Sequence, residues 1–394
     1  MLFIIQIFCS LNSYHYLINK LLKKLAENKN PNILIITSRA DFGGGPKHIS
    51  GLLNHLNDKI NFYIACPKDY PYYDMFSSMI GEKKIAVIPH RRFSLLRFVS
   101  LIKFVKRKKI DLIHSHGKGA GIYSRMLSPF TGIPVIHTFH GLHIGEYNSV
   151  KRVLYLLVEK ILSLFTKEFI TVSDSERNQI LLNKITNKNK LNKIENGVEI
   201  PRDKTASFNT TERKLNIVTI SRFDFAKNSF LLIPILKELI NKKSKFNFTI
   251  SILGEGKGKE NFKNEIASEG LSDNFKLLGA QINIAGYLIN SFCYISTSKW
   301  EGMPLGVIEA MAVGLPVIAT DVTGNKDVVK NNVNGFLFEI EKPEEAAAFI
   351  LRLAEDNDLW NRLSNSSKEL AQKYYSAERM ANETLDLYNR ILNN

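Results

Sequence analysis

Two successive series of short apolar runs, each alternating with helix-forming segments, restrict this chain to a narrow set of folds. In the first series the runs lie at 32–38, 61–65, 84–88, 110–114, 134–138 and 168–172, with helical patterns at 48–56, 95–108 and 150–165 among them. In the second they lie at 215–221, 247–253, 275–278, 293–297, 316–320 and 335–338. Continuous apolar runs of this length, separated by helices, are the signature of parallel strands covered on both faces. Between the two series lies a polar stretch around 200–213, which breaks both patterns. The predicted architecture is α/β: an extension at 1–30, a doubly wound domain at 31–200, a linker at 201–213, a second such domain at 214–376 and a C-terminal helical segment at 377–394. Two such domains facing each other leave a cleft at the carboxyl ends of their strands, where open α/β sheets bind ligands.

Charge is distributed unevenly. The net charge is +15, and residues 1–200 carry 29 Lys and Arg against 14 Asp and Glu, whereas the remainder is balanced. An excess confined to one half points to a polyanionic partner on that half, either nucleic acid or an anionic membrane surface. A helical segment with interleaved apolar residues concentrates part of it: Arg97, Lys103, Lys106, Arg107, Lys108 and Lys109. A basic amphipathic helix reads as membrane-surface binding. No nucleic-acid reader module or row of stacking aromatics accompanies the charge, so nucleic acid is not the expected partner. Cys9, Cys66 and Cys293 are scattered without metal-type spacing, which argues for a reducing compartment. The apolar residues 1–9 are too few to span a bilayer, and lysines follow rather than precede them; residues 17–25 suggest an amphipathic helix.

The densest chemical signal is Trp300 to Thr320, WEGMPLGVIEAMAVGLPVIAT. Pro304 suits a first helical turn and Gly314 a helix end, with a buried strand following. The amides of Gly302, Met303, Pro304 and Leu305 flank a helix start, a place for an anion, although proline itself offers no N–H. Glu301 and Glu309 cannot bind phosphate there but can accept hydrogen bonds from sugar or ribose hydroxyls. One anion site flanked by two hydroxyl acceptors is what a nucleotide-sugar requires.

This stretch resembles the Glu-x7-Glu signature of retaining GT-B glycosyltransferases of family 4, and the resemblance covers roughly residues 31 to 380. It implies two Rossmann-like domains and a C-terminal helix that crosses back to the first. Arg222 and Lys227, in SRFDFAKN after the first strand of the second domain, resemble the family pair that neutralises the donor diphosphate. Gly254, Gly256 and Gly279 resemble turns near the nucleotide. In the first domain Gly44 and Gly45 belong to a Gly-Gly-Gly loop that is neither a Walker A nor a dinucleotide fingerprint. Among the clustered histidines, the resemblance makes His140 the candidate beside the transferred sugar; His114, His116, Lys118 and His143 are candidates for the acceptor side. No DxD flanked by strands and no metal-ligand spacing is present, so neither metal nor cofactor is expected. The implied activity is retaining, metal-independent transfer from a nucleotide-diphosphate sugar, UDP before GDP, to a lipid-linked or polysaccharide acceptor of bacterial surface glycan synthesis. The implied location is cytoplasmic, peripheral on the inner membrane face. The alternatives are a GT-B nucleotide-sugar 2-epimerase and, from another class, a basic nucleic-acid-binding protein.

Overall fold

A computed structural model describes residues 30–142, 147–201, 205–208 and 213–393. The first domain runs β1 (Asn32–Thr37), α1 (Gly44–Leu56), β2 (Asn61–Cys66), α2 (Tyr72–Ile80), β3 (Ile85–Val87), α3 (Leu95–Lys108), β4 (Leu112–His116), α4 (Lys118–Thr131), β5 (Val135–Thr138), α5 (Ser149–Ser163), β6 (Glu168–Thr171), α6 (Asp174–Leu182) and β7 (Leu191–Lys193). The second runs β8 (Lys214–Ile220), α7 (Leu232–Asn241), β9 (Asn247–Leu253), α8 (Lys259–Ser268), β10 (Phe275–Gly279), α9 (Ala285–Ile289), β11 (Cys293–Ser296), α10 (Leu305–Ala312), β12 (Val317–Thr320), α11 (Asn325–Val328), β13 (Gly335–Phe338), α12 (Pro343–Glu355) and α13 (Asn357–Tyr374). A last helix, α14 (Ala377–Leu392), completes the chain.

Strand order is β3-β2-β1-β4-β5-β6-β7 in one sheet and β10-β9-β8-β11-β12-β13 in the other. Every pairing is parallel. In each sheet the chain order reverses beside the central strand, at β1/β4 and at β8/β11. These are the switch points at which a crevice opens beyond the strand ends. Burial explains the apolar runs: β4, β5, β11 and β12 are buried at every position.

Helix α14 leaves the second domain and buries Met380, Ala381, Leu387, Tyr388 and Ile391 in the core that contains Ile33, Leu52 and Phe62 of the first. His114 lies beneath it, fully buried. One ring nitrogen meets the Tyr388 hydroxyl at 2.6 Å and the other meets Thr138 Oγ1 at 2.8 Å. That corrects the acceptor-side expectation for His114: both nitrogens are spent holding α14 to the sheet. Strand β7 was not foreseen, because its three residues, Leu-Asn-Lys, are mostly polar and carry no apolar run.

Helix α3 buries Phe98, Leu101, Phe104 and Val105 against the sheet and turns Arg97, Lys103, Lys106 and Arg107 outward. Lys109, just past its end, is also exposed. Lys108 departs from the expected outward set: its ammonium lies over the rings of Tyr63 and Phe104, at 5.6 and 5.9 Å.

Candidate active site

Four strand ends face one another. β1 leads into the Gly43–Gly45 loop and α1, β4 ends at His116, β8 leads into Arg222–Lys227, and β11 leads into Ser298–Glu301. Among these, Lys227 and Glu301 meet: Lys227 Nζ is 2.5 Å from Glu301 Oε1, which also accepts from Ser298 Oγ at 2.6 Å. Both side chains are largely withdrawn from solvent. Their backbones are laced together as well. Thr297 Oγ1 donates to the Lys227 carbonyl at 3.1 Å, and the Lys299 N–H donates to the Ala226 carbonyl at 2.8 Å. Arg222 is more exposed and pairs with Asp224 at 2.8 Å, whose other carboxylate oxygen accepts from the Lys227 N–H at 3.0 Å. Asp224 therefore shapes the loop that presents both cations.

Glycines Gly254 and Gly256 serve this loop. A Cβ at Gly254 would lie 2.1 Å from the Ser221 carbonyl oxygen, and one at Gly256 would lie 2.7 Å from the Phe223 nitrogen. The backbone they admit is thus that of Ser221–Phe223, rather than a ligand. Gly279 has a left-handed φ of 71° at the end of β10, beside the Glu255 side chain.

Helix α10 starts after Pro304, which stands at its N-cap rather than inside its first turn. No described residue accepts from the N–H groups of Gly302, Met303 or Leu305, while those of Val307 and Ile308 donate to the Pro304 carbonyl. Gly314, with φ 81°, follows the helix end. Glu309, one turn into the helix, is almost buried and forms an ion pair with Lys47 of α1, on the opposite side of the cleft. Lys47 is an unforeseen member of the site. It lies just past Gly44 and Gly45, and Gly44 itself approaches the Leu305 side chain.

The two domains touch where Gly302 meets His140 and Gly141. A Cβ on Gly302 would come within 2.7 Å of the Gly141 nitrogen and 2.8 Å of the His140 carbonyl. His140 has φ 58° and Gly141 φ 107°, so the loop doubles sharply there. Glu176 of α6 fastens that turn. Its carboxyl group accepts the Gly141 N–H and, at 2.8 Å, the Val172 N–H. Burial pushes the Glu176 carboxyl up to about 7, the two N–H groups opposing the shift and Asp327 adding to it.

His140 Nε2 lies 3.0 Å from His116 Nδ1, and His48 joins them, its ring centroid 4.9 Å from that of His140. Asn196 holds His48 Nδ1 at 3.0 Å and reaches Met303 of the other domain. Burial keeps His116 and His140 well below the ordinary histidine range and pushes His48 down to about 4. The site therefore presents neutral imidazoles. One nitrogen from each of these three residues lies within 4.8 Å of the others, a grouping able to hold a metal ion, and His116 Nε2 is buried without a partner among the described residues. Lys118 is exposed, its ammonium 2.5 Å from the Tyr147 hydroxyl and 3.9 Å above the Tyr155 ring. His143 lies outside the described residues.

Residues 42–202 match the Glycosyltransferase Family 4 domain, and residues 202–370 match Glycosyl transferases group 1. The chain belongs to this glycosyltransferase family. It is similar to the Escherichia coli UDP-Gal:alpha-D-GlcNAc-diphosphoundecaprenol alpha-1,3-galactosyltransferase, 26% identical over 352 residues, covering 84% of this chain and 89% of the relative. It is also similar to the Escherichia coli O-antigen biosynthesis glycosyltransferase WbnH, 23% identical over 355 residues, covering 88% and 97%. Anabaena HepE, solved in complex with UDP and glucose, superposes with a TM-score of 0.79 at 18% identity, over 92% of this chain and 100% of that one. The fold is GT-B, two doubly wound domains across a cleft. The two Escherichia coli relatives are glycosyltransferases, one of them of O-antigen biosynthesis, which does not favour the 2-epimerase alternative.

Proposed function

We propose that this glycosyltransferase is retaining and metal-independent, and that it moves a sugar from a nucleotide-diphosphate donor, UDP-linked before GDP-linked, to a lipid-linked or polysaccharide acceptor of bacterial surface glycan synthesis. The observation that carries this reading is the meeting of Lys227 with Glu301, opposite the His140–Gly141 turn. Arg222 and Lys227 face the diphosphate, whose charge grows as the bond from the sugar C1 to phosphate oxygen breaks. Glu301 accepts from hydroxyls of the sugar, beside the amides of Gly302, Met303 and Leu305. Glu309 accepts from the ribose hydroxyls, which take the place that Lys47 fills here. Neutral His140 has a ring nitrogen to offer the sugar. The acceptor hydroxyl oxygen bonds to C1 on the face the diphosphate leaves, and its proton passes to the departing phosphate oxygen, so no enzymic nucleophile is required.

The Escherichia coli galactosyltransferase acts on a GlcNAc-diphosphoundecaprenol, which supports an acceptor held at a membrane. We place the protein in the cytoplasm, peripheral on the inner face of the cell membrane, with the basic face of α3 turned to anionic lipid rather than to nucleic acid. None of the described helices is long and apolar enough to cross a membrane.

Thermal unfolding with a panel of nucleotides and nucleotide-sugars, with and without EDTA, tests the donor assignment. A ligand that binds the folded state raises Tm by mass action. A selective rise with one nucleotide and its sugar, unchanged by EDTA, is expected. A rise that EDTA abolishes would put a metal among His48, His116 and His140; no rise with any nucleotide would refute the donor site.

A further inference from the structure

Helix α5 is mounted with its apolar side outward. Val150, Val153, Leu154, Leu157, Val158 and Ile161 are between 38% and 78% exposed, and Leu164 and Phe165 continue the row past its end. At 3.6 residues per turn these positions form one stripe. The inward side of the helix buries only Glu159 and Leu162, with Tyr155 and Leu156 partly covered.

This orientation is fixed by chemistry. Glu159 forms an ion pair with Arg125 of α4 at 2.6 Å, with both side chains out of solvent. Rotating α5 to bury its stripe would break a buried ion pair, at a cost far above that of an exposed one. The charges left outward on α5 are Lys151, Arg152 and Lys160, all exposed, since the lone carboxylate of the helix is sealed beneath it. By the helical repeat Lys151 and Lys160 fall on opposite margins of the stripe. Helices α3, α4 and α5 lie side by side, and α3 adds exposed Leu95, Leu96 and Val99 to the same layer, next to its own basic face.

We propose that the outer face of α5 inserts into an anionic lipid bilayer, with Leu154 and Leu157 at its centre and Lys151 and Lys160 at the headgroups. The proposal deepens the reading of a membrane-held acceptor and rests on it. Charge complementarity selects this occupant. A second copy meeting the stripe about a two-fold axis would set the flanking Lys151 and Lys160 against the same cations. A helix of 15 residues is roughly 22 Å long, too short to span the hydrocarbon core, so it lies in the interface plane. That arrangement places the start of α5, next to Tyr147 and Lys118, at the edge where a lipid diphosphate would enter.

The test is flotation of the full chain with vesicles of phosphatidylcholine alone or mixed with phosphatidylglycerol, free of any acceptor lipid. Wild type is expected to float with the mixed vesicles. Leu154→Glu with Leu157→Glu should weaken that binding at least about tenfold, and Lys151→Gln with Lys160→Gln should weaken it several-fold on anionic vesicles only. Mixed-vesicle binding by the leucine variant equal to wild type would overturn the proposal, as would no binding by wild type. So would a wild-type dimer that the leucine variant turns into monomer, because the stripe would then be an interface between copies. The nucleotide-induced rise in Tm, measured on the same samples, reports the donor site separately and shows that each variant is folded.

Discussion

Removing Glu159 should destabilise the first domain more than any surface carboxylate could. Arg125 is 0% exposed and Glu159 2%, and their contact is 2.6 Å. Among the described residues Arg125 has one further bond, from Nε to the Gly121 carbonyl at 2.8 Å, and its Nη2 has no partner. Glu159→Ala therefore leaves a guanidinium out of water with a single acceptor. Breaking a buried pair from one side costs about 3–5 kcal/mol, because the remaining charge is uncompensated. For a unit of about 150–250 residues, 1 kcal/mol corresponds to roughly 2–4 °C, so a fall in Tm of roughly 6–20 °C is expected. Calorimetry or circular dichroism would measure it. Arg125→Met combined with Glu159→Leu removes both charges and should return to within about 1 kcal/mol of wild type or exceed it. A single variant that loses less than about 1 kcal/mol would refute the reasoning, since only a solvated pair behaves that way.

Other outcomes follow from the cleft. Lys227→Ala should lower kcat/KM by roughly 100- to 1,000-fold, as loss of one preorganised charge at a leaving group does; steady-state rates near wild type would remove Lys227 from its role. Gly302→Ala should cost roughly 100-fold in kcat/KM with little change in Tm, because its Cβ pushes Glu301 away from the His140–Gly141 turn without touching the core. The raised carboxyl of Glu176 makes a signed prediction. Its folded pKa of about 7 exceeds the ordinary 4.5, so its contribution to stability is complete below about 4.5 and disappears as pH rises through 7. Between pH 5 and 8.5 wild type should lose up to about 3 kcal/mol relative to Glu176→Gln. Taking the difference between the two proteins is necessary because the buried neutral histidines act oppositely, losing stability as pH falls below about 6.5. Parallel pH profiles for the two proteins would refute the assignment.

How much of this was legible depends on the reach of each interaction. Strands such as β4 and β12 are covered on both faces, so their runs are apolar without interruption and the two sheets can be read directly. Glu301 and Glu309 were legible because helix start, helix end and following strand share one short stretch, so local rules place them together. His48, Asn196 and Glu176 carry no such local mark. His48 meets Asn196 from 148 residues away, and Asn196 meets Met303 across 107 more. Only the closure of two sheets over one cleft makes those contacts. Helix α5 is hidden for a different reason. Periodicity marks an apolar stripe but not which way it faces, and the ordinary assumption turns it inward. The contrary signal is Glu159, the only acid on the helix, on the side opposite the stripe. If the stripe faced inward, Glu159 would be free in water, as its charge prefers. In the structure it is buried, and the charge that makes this possible is Arg125, a residue of the neighbouring helix that helical periodicity alone does not connect to it. A buried ion pair thus sets the direction in which an apolar face points. Repacking that pair with Met and Leu removes the electrostatic reason for α5 to keep its apolar stripe outward.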